Sequence, residues 1–424
     1  MNRRFTINKQ YLQFMVLFYF LIFENWLEQY WSFVGYGDEI IALLAIPIFI
    51  VKLVKSNFVI KETNGYARYI IVFCASGLLG SLFYKYQRFV EVAMPDMFLC
   101  LKFWFAIYVG KNILPGFSIA KYAKKIYKHI IFIISIYIIC CLCDLTFHVF
   151  KASIRYGIRS TQLMYSQPTV LVACCVFLIG LLLAVSEYNP GWKKWLGVLL
   201  FLVCSTLRIK AWGAVIAIVL ICYFVLYRKK KITLKMLLLF IPVLVALAWN
   251  QIYYYFFSAI QEDSARYQLL VKSIEIMKDH FPIGAGFGTY ASYYSGKYYS
   301  PLYFSYGLSG VHGLQIYNKS FMTDSFWPMV LGETGFIGAI AFACTLLKLF
   351  RQIQTVRITS KAFYASAVCM LSYLLISSMA ESAFVNPVAI PLATLIGITL
   401  NQRKSNNNIK ISKKSKSTLY HKTR

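Results

Sequence analysis

Arg208 and Lys210 stand in the turn Ser205-Thr206-Leu207-Arg208-Ile209-Lys210-Ala211-Trp212, between two apolar runs. An arginine fork donates two parallel hydrogen bonds to a phosphate, and a lysine adds a compact point charge. The pair therefore suits an anion, although two such side chains at a membrane boundary also snorkel to lipid headgroups. Arg266 is a third candidate. It falls in the first turn of an expected helix, where the dipole favours negative charge, so an anion received there would relieve the mismatch. The alternative is an ordinary surface arginine. Arg155 and Arg159, with Lys151, occupy another polar stretch and extend the same cationic theme.

Asp324, in Thr323-Asp324-Ser325-Phe326-Trp327, either caps the apolar helix that follows or accepts the proton of a hydroxyl. His312 is the less favoured acceptor. Glu333 is an acid inside an apolar run and is expected to face the bundle interior or a wet cavity, and Asp96 and Lys102 invite the same reading. Gly284, Gly286 and Gly288, in Pro282-Ile283-Gly284-Ala285-Gly286-Phe287-Gly288, imply tight turning or close approach to a ligand. No Gly-Lys-Ser/Thr follows, so this is not a phosphate-binding P-loop. Tyr290 opens a tyrosine-rich stretch that suits sugars and membrane interfaces alike. No His, Cys, Asp or Glu spacing reads as a metal site, and no cofactor is expected.

These residues need elements to hold them. Of the 424 residues 59% are apolar and 14% charged, with mean hydropathy +0.60. Repeated uncharged runs are long enough to cross a hydrocarbon core of about 30 Å as helices. The expected fold is an all-α polytopic membrane protein with about twelve transmembrane helices and one long outer loop containing an amphipathic helix. The spans are expected near 10–24, 38–54, 66–84, 90–110, 129–150, 169–186, 193–207, 211–227, 235–250, 326–347, 362–380 and 384–400. The domain divisions are 1–250, 251–325, 326–400 and a basic tail, 401–424.

The net charge of +28 does not imply nucleic acid. Cations such as Arg228-Lys229-Lys230-Lys231 fall between spans, where cytoplasmic loops collect them. Alternation from a cytoplasmic N terminus puts most of the Lys and Arg inside, with only Glu62 and Glu187 among the acids. Both termini are then cytoplasmic and 251–325 lies outside. The eleven cysteines fall in apolar runs and suggest no disulfide framework. No cleavable signal is evident after Asn2-Arg3-Arg4. In the outer loop, Asp263 is expected to cap a helix from Ser264. That helix has a stripe of Leu269, Leu270, Ile274 and Met277, with Lys272, Glu275 and Asp279 toward water, and is expected to lie along the membrane surface.

The order of these segments carries a resemblance. Leu207-Arg208-Ile209-Lys210-Ala211 comes first, then Asp263-Ser264-Ala265-Arg266, then His280-Phe281-Pro282-Ile283-Gly284-Ala285-Gly286-Phe287-Gly288-Thr289-Tyr290. Asp324-Ser325-Phe326-Trp327 and Gly332-Glu333-Thr334-Gly335-Phe336-Ile337-Gly338 complete it. Together they resemble the O-antigen polymerase and O-antigen ligase superfamily, nearest to the Wzy-type capsular or O-antigen repeat-unit polymerases. By motif the resemblance spans roughly 205–340, and by layout the whole chain.

The resemblance implies a GT-C-like, metal-independent, inverting glycosyltransferase at the outer face of the bacterial cytoplasmic membrane. Its donor would be a glycan on undecaprenyl diphosphate, its acceptor another lipid-linked repeat unit. Flippase and chain-length regulator proteins, and membrane lipid, would be its partners. Arg208 and Arg266 match the family's arginines, and Lys210 stands beside the first. Ligases of this type carry a histidine near the place of Asp324, which favours a polymerase. The alternatives are a ligase and, from a different class, a lipid-linked oligosaccharide flippase. A flippase has no need of a 75-residue outer loop.

Overall fold

A computed structural model describes residues 9–55, 65–233 and 264–402, with isolated residues between 236 and 257. The expected span at 235–250 lies largely outside the described residues. Asp263, with the cap expected of it, and the tail from 403 onward lie wholly outside them.

Among the described residues the chain is helical except for one short hairpin. The helices begin with α1 (Lys9–Glu28), α2 (Gly37–Leu43), α3 (Ala45–Lys55) and α4 (Ala67–Tyr84). Then come α5 (Met94–Asn112), entered through a π turn at Phe89–Ala93, and α6 (Ile119–Phe147). The hairpin is β1 (Ile154–Arg155) and β2 (Ile158–Arg159). Beyond it lie α7 (Pro168–Ala184), α8 (Trp192–Ser205) and α9 (Ile209–Ile221), which continues as a π turn to Tyr227. After α10 (Ala265–Asp279) and the short α11 (Tyr293–Lys297) and α12 (Leu302–Ser305), the chain ends in α13 (Phe326–Val356), α14 (Lys361–Ser377) and α15 (Ala389–Gln402).

Five of these segments are long and apolar enough to cross a membrane: Ala67–Tyr84, Phe89–Asn112, Ile119–Phe147, Ile209–Tyr227 and Phe326–Val356. The bundle is layered. The shorter helices α7, α14 and α15 are apolar all round and buried on nearly every side, as helices with no polar face must be. The longer α4 and α6 leave most of their apolar surface outward, with 28% of each most hydropathic stretch buried. Helices α5 and α15 cross in backbone contact. A β-carbon on Gly110 would lie 2.0 Å from the Thr394 carbonyl oxygen, so only glycine permits that approach.

Two expected spans differ in outline. The span near 38–54 is two helices, because Pro47 has no N–H to give the Leu43 carbonyl. Asp38 and Glu39, in the first of them, both engage Lys102 of α5, the latter at 2.9 Å. The span expected from 129 begins at Ile119. Lys121, Lys124, Lys125 and Lys128 point outward there while Ala123, Ile126 and Ile130 are buried, so the helix starts amphipathic.

The connections gather at two ends of the bundle. At one end Gln402 bonds the Phe117 carbonyl (2.9 Å), and Glu187 accepts from Ser360 Oγ (3.2 Å) and Ala362 N (3.3 Å). At the other, Gln29 bonds the Met164 carbonyl (2.9 Å), Thr161 N the Ser205 carbonyl (3.0 Å), and Ser382 Oγ the Thr323 carbonyl (2.9 Å).

Candidate functional site

The candidate cations Arg155, Arg208, Lys210 and Arg266 lie at the second end of the bundle. Helix α8 turns into α9 through Thr206-Leu207-Arg208. Leu207 takes a left-handed conformation (φ 52°), which costs a side chain with a β-carbon about 1–2 kcal/mol. The Trp212 indole N–H holds the turn on the Cys204 carbonyl at 3.1 Å. Arg208, extended just before α9, and Lys210, in its first turn, are presented together.

The hairpin reaches over them. Tyr156 and Gly157 both have positive φ, the signature of a two-residue hairpin turn. The Tyr156 ring stacks on Trp212, with centroids 6.1 Å apart. Arg155 pairs across the hairpin with Ile158, and Arg159 with Ile154, so the two arginines face opposite sides. Arg155 is close enough for its charge to act on Arg208. Arg159 turns away, to Asp144 at 3.0 Å and to the Phe150 carbonyl. Of these two candidates, Arg155 thus lies beside Arg208 and Arg159 is engaged with Asp144.

Two carboxylates answer these cations. Glu381, in the turn after α14, pairs with Lys210. Asp324 accepts from Arg266 Nη2 at 2.9 Å. Asp324 does not cap α13; Ser325 holds that position and makes no side-chain cap. Among the described residues, Arg155, Arg208, Lys210 and Arg266 thus share one neighbourhood with Glu381 and Asp324. Cations are in excess. Among the described residues Arg208 forms no ion pair, and its Nε is buried without a hydrogen-bond partner. Burial, then the Arg155 charge, pull the Arg208 guanidinium below its ordinary pKa, against the opposing pull of Glu381. Burial raises Asp324 above the usual carboxylate value, opposed by Arg266 and then Lys210.

The glycine run lies elsewhere. Helix α13 breaks at Gly335 (φ 62°, ψ −161°), and the chain from Pro282 to Tyr290 fills the break. The freed carbonyls of Gly332 and Glu333 accept from Ala285 N and Gly286 N, each at 2.9 Å. Ser76 Oγ donates to the Thr334 carbonyl at 2.8 Å, and Ile337 N to the Pro282 carbonyl at 3.2 Å. Phe287 N bonds Ser81 Oγ (3.0 Å), Gly288 N the Asp96 carboxylate (3.1 Å) and Tyr290 N the Glu333 carboxylate (3.0 Å). Gly284 has φ +78°, and a β-carbon there would stand 2.3 Å from Gly335 N.

Gly284, Gly286, Gly288, Tyr290 and Glu333, expected to bind substrate, thus lie together in this plug. The amides of Ala285 and Gly286 complete a broken helix, as buried backbone requires, while Glu333 Oε2 is buried without a partner. The Tyr290 hydroxyl donates to the Leu269 carbonyl at 2.7 Å and ties α10 to this plug. His312 is exposed, with Asn318 of its own loop at 3.3 Å, and neither cation nor carboxylate of the cluster is its partner.

Helix α10 also departs from expectation. It packs on α13 through Ala265, Leu269, Ser273 and Ile276. Ile274 is exposed, so the buried face is rotated from the expected stripe. This packing brings Arg266 to Asp324. Glu381 was not foreseen; its only signal was an acid in a short turn on the same side as Lys210. Among the described residues no three His, Cys, Asp or Glu side chains gather as metal ligands. No protein-family model and no curated protein matches the chain.

Proposed function

We propose that this membrane protein is a glycosyltransferase of the Wzy-type repeat-unit polymerase kind, with the cation cluster receiving the diphosphate of an undecaprenyl-linked glycan. On this reading it is a GT-C-like protein of about twelve spans in the bacterial cytoplasmic membrane. Both termini are cytoplasmic and the cluster lies at the outer face. Arg208 and Arg266 stabilise charge developing on the departing diphosphate, and Lys210 and Arg155 add to the field. Preorganised donors at a partly dry boundary are worth far more than the same groups in water. Asp324 accepts the proton of the acceptor hydroxyl.

The observation that carries the reading is Arg208: a half-buried arginine with an orphan Nε, in a cluster where cations exceed carboxylates. A buried donor without a partner is costly unless something outside the chain supplies the acceptor.

The test is purified protein in detergent, given lipid-linked repeat units. Wild type lengthens the glycan. Arg208→Glu lowers elongation on the order of 10²–10³-fold, leaving single repeats on lipid. Long chains from the variant would remove Arg208 from the leaving-group role. Repeats left at their original length by wild type would overturn the transferase reading.

A further inference from the structure

We infer that a cavity beside the cation cluster, between the ends of α1, α7 and α15, is the subsite for the acceptor sugar; this rests on the transferase reading above. Its volume is about 250 Å³, and Glu24, Asn25, Glu28, Asn386 and Glu381 are among its polar lining residues. Ala173 and Phe177 belong to its apolar wall. The volume is near the lower end of small-molecule sites, about 300–1,000 Å³. A single pyranose fits that scale. One wall suits the C–H face of a sugar, and an aromatic ring is part of it.

The polar side excludes a second phosphate. Glu28 and Glu381 would repel an anion, yet each can accept hydrogen bonds from hydroxyl or ammonium groups. The class of ligand is therefore a sugar presenting hydroxyl or amino groups, not another lipid phosphate.

Glu381 belongs to both sites. It lines the cavity and pairs with Lys210 of the cation cluster. The neighbouring Ser382 Oγ donates to the Thr323 carbonyl at 2.9 Å, which sets the Glu381 turn beside the segment bearing Asp324. A sugar in the cavity thus presents a hydroxyl toward the departing diphosphate. The hydroxyl oxygen bonds to the donor's anomeric carbon, and the bond from that carbon to the diphosphate oxygen breaks. The electron pair leaves with the diphosphate, and the hydroxyl proton passes to Asp324. Glu381 positions the acceptor.

The experiment uses the whole chain in lipid nanodiscs. Three readouts are taken: binding of undecaprenyl diphosphate, binding of a soluble synthetic repeat-unit glycan, and elongation against glycan concentration. Asn386→Ala should raise the glycan KM about tenfold, the loss of roughly one hydrogen bond, with kcat retained. Ala173→Phe, which fills the cavity, should abolish glycan binding while diphosphate affinity stays within about twofold. Glycan binding unchanged in both variants would overturn the subsite. So would equal losses of diphosphate and glycan affinity, which would make the cavity part of the donor site. A wild type that binds glycan in the cavity without lengthening it would sink the transferase reading and leave a sugar site.

Discussion

The plug in the broken α13 and the cluster around Arg208 are both polar regions set in an apolar chain, and they differ in balance. In the plug, each freed carbonyl of Gly332, Glu333 and Thr334 has a donor from another segment. The amides from Ala285 to Gly288 are likewise engaged with protein. The cluster is unfinished by comparison. Arg208 keeps a buried Nε without an acceptor, and two carboxylates face four cations among the described residues. Each region holds one buried side-chain atom without a partner, Glu333 Oε2 in the plug and Arg208 Nε in the cluster; what sets the cluster apart, among the described residues, is its excess of cations over carboxylates. Glycines, tyrosines and acids can serve a fold alone, whereas an excess of fixed charge needs an external partner.

The largest effect that would sharpen this contrast is Gly284→Ala. The added β-carbon meets Gly335 N and the backbone keeps a positive φ, so the plug cannot close. Stability should fall on the order of 4 kcal/mol, since strain and several uncovered polar groups add. Membrane yield and thermal melting of the purified protein check it; a stable variant with wild-type melting would mean the plug is not structural. Arg208→Glu, by contrast, should melt normally.

A smaller effect is expected at Asp324. Asp324→Asn should slow transfer about 10²-fold with melting retained. The wild-type rate should rise with pH, because a base acts when deprotonated, and its midpoint should lie above the ordinary carboxylate range because burial raises Asp324. The variant should lose that limb. The same shift has a thermodynamic sign: the folded form holds this proton more tightly than the unfolded one. Stability from Asp324 is therefore greatest below the unfolded pKa and declines as pH rises through the folded value. A pH profile identical in the two proteins would remove Asp324 as the base.

The smallest effect belongs to Glu333→Gln. The amide oxygen can still accept from Tyr290 N, and the new N–H₂ can donate to the Asp96 carboxyl that lies against it. Melting and elongation should stay near wild type, within about threefold in rate. A folded but inactive Glu333→Gln protein would break the comparison by making the plug part of the chemistry.

Much of the frame was legible from hydropathy, because an uncharged run the length of a bilayer has few other uses. Arg208 and Lys210 were legible as exceptions to the charge pattern, Arg266 as a cation in a helix first turn and Asp324 as an acid before an apolar helix, and the bundle brings them together. Their partners were not legible. Glu381 is far from Lys210 in sequence, and nothing local says which turns touch. Arg155 and Arg159 read alike until a two-residue turn puts them on opposite faces. The plug was hidden for a related reason: its glycines make sense only against a helix broken at Gly335, and a sequence shows the filler without the gap. The buried face of α10 differs from the expected stripe because the helix packs on α13, a partner the local pattern does not reveal.

The break in α13 also bears on how the protein is made. Residues 282–286 leave the ribosome before residues 332–337, so the filler exists before the gap it must close. While the later segment enters the lipid, its uncovered carbonyls make it a poor span on its own. Insertion of that helix is therefore coupled to the return of a stretch already translated. On this order of synthesis α13 alone is left incompletely bonded until the earlier loop docks.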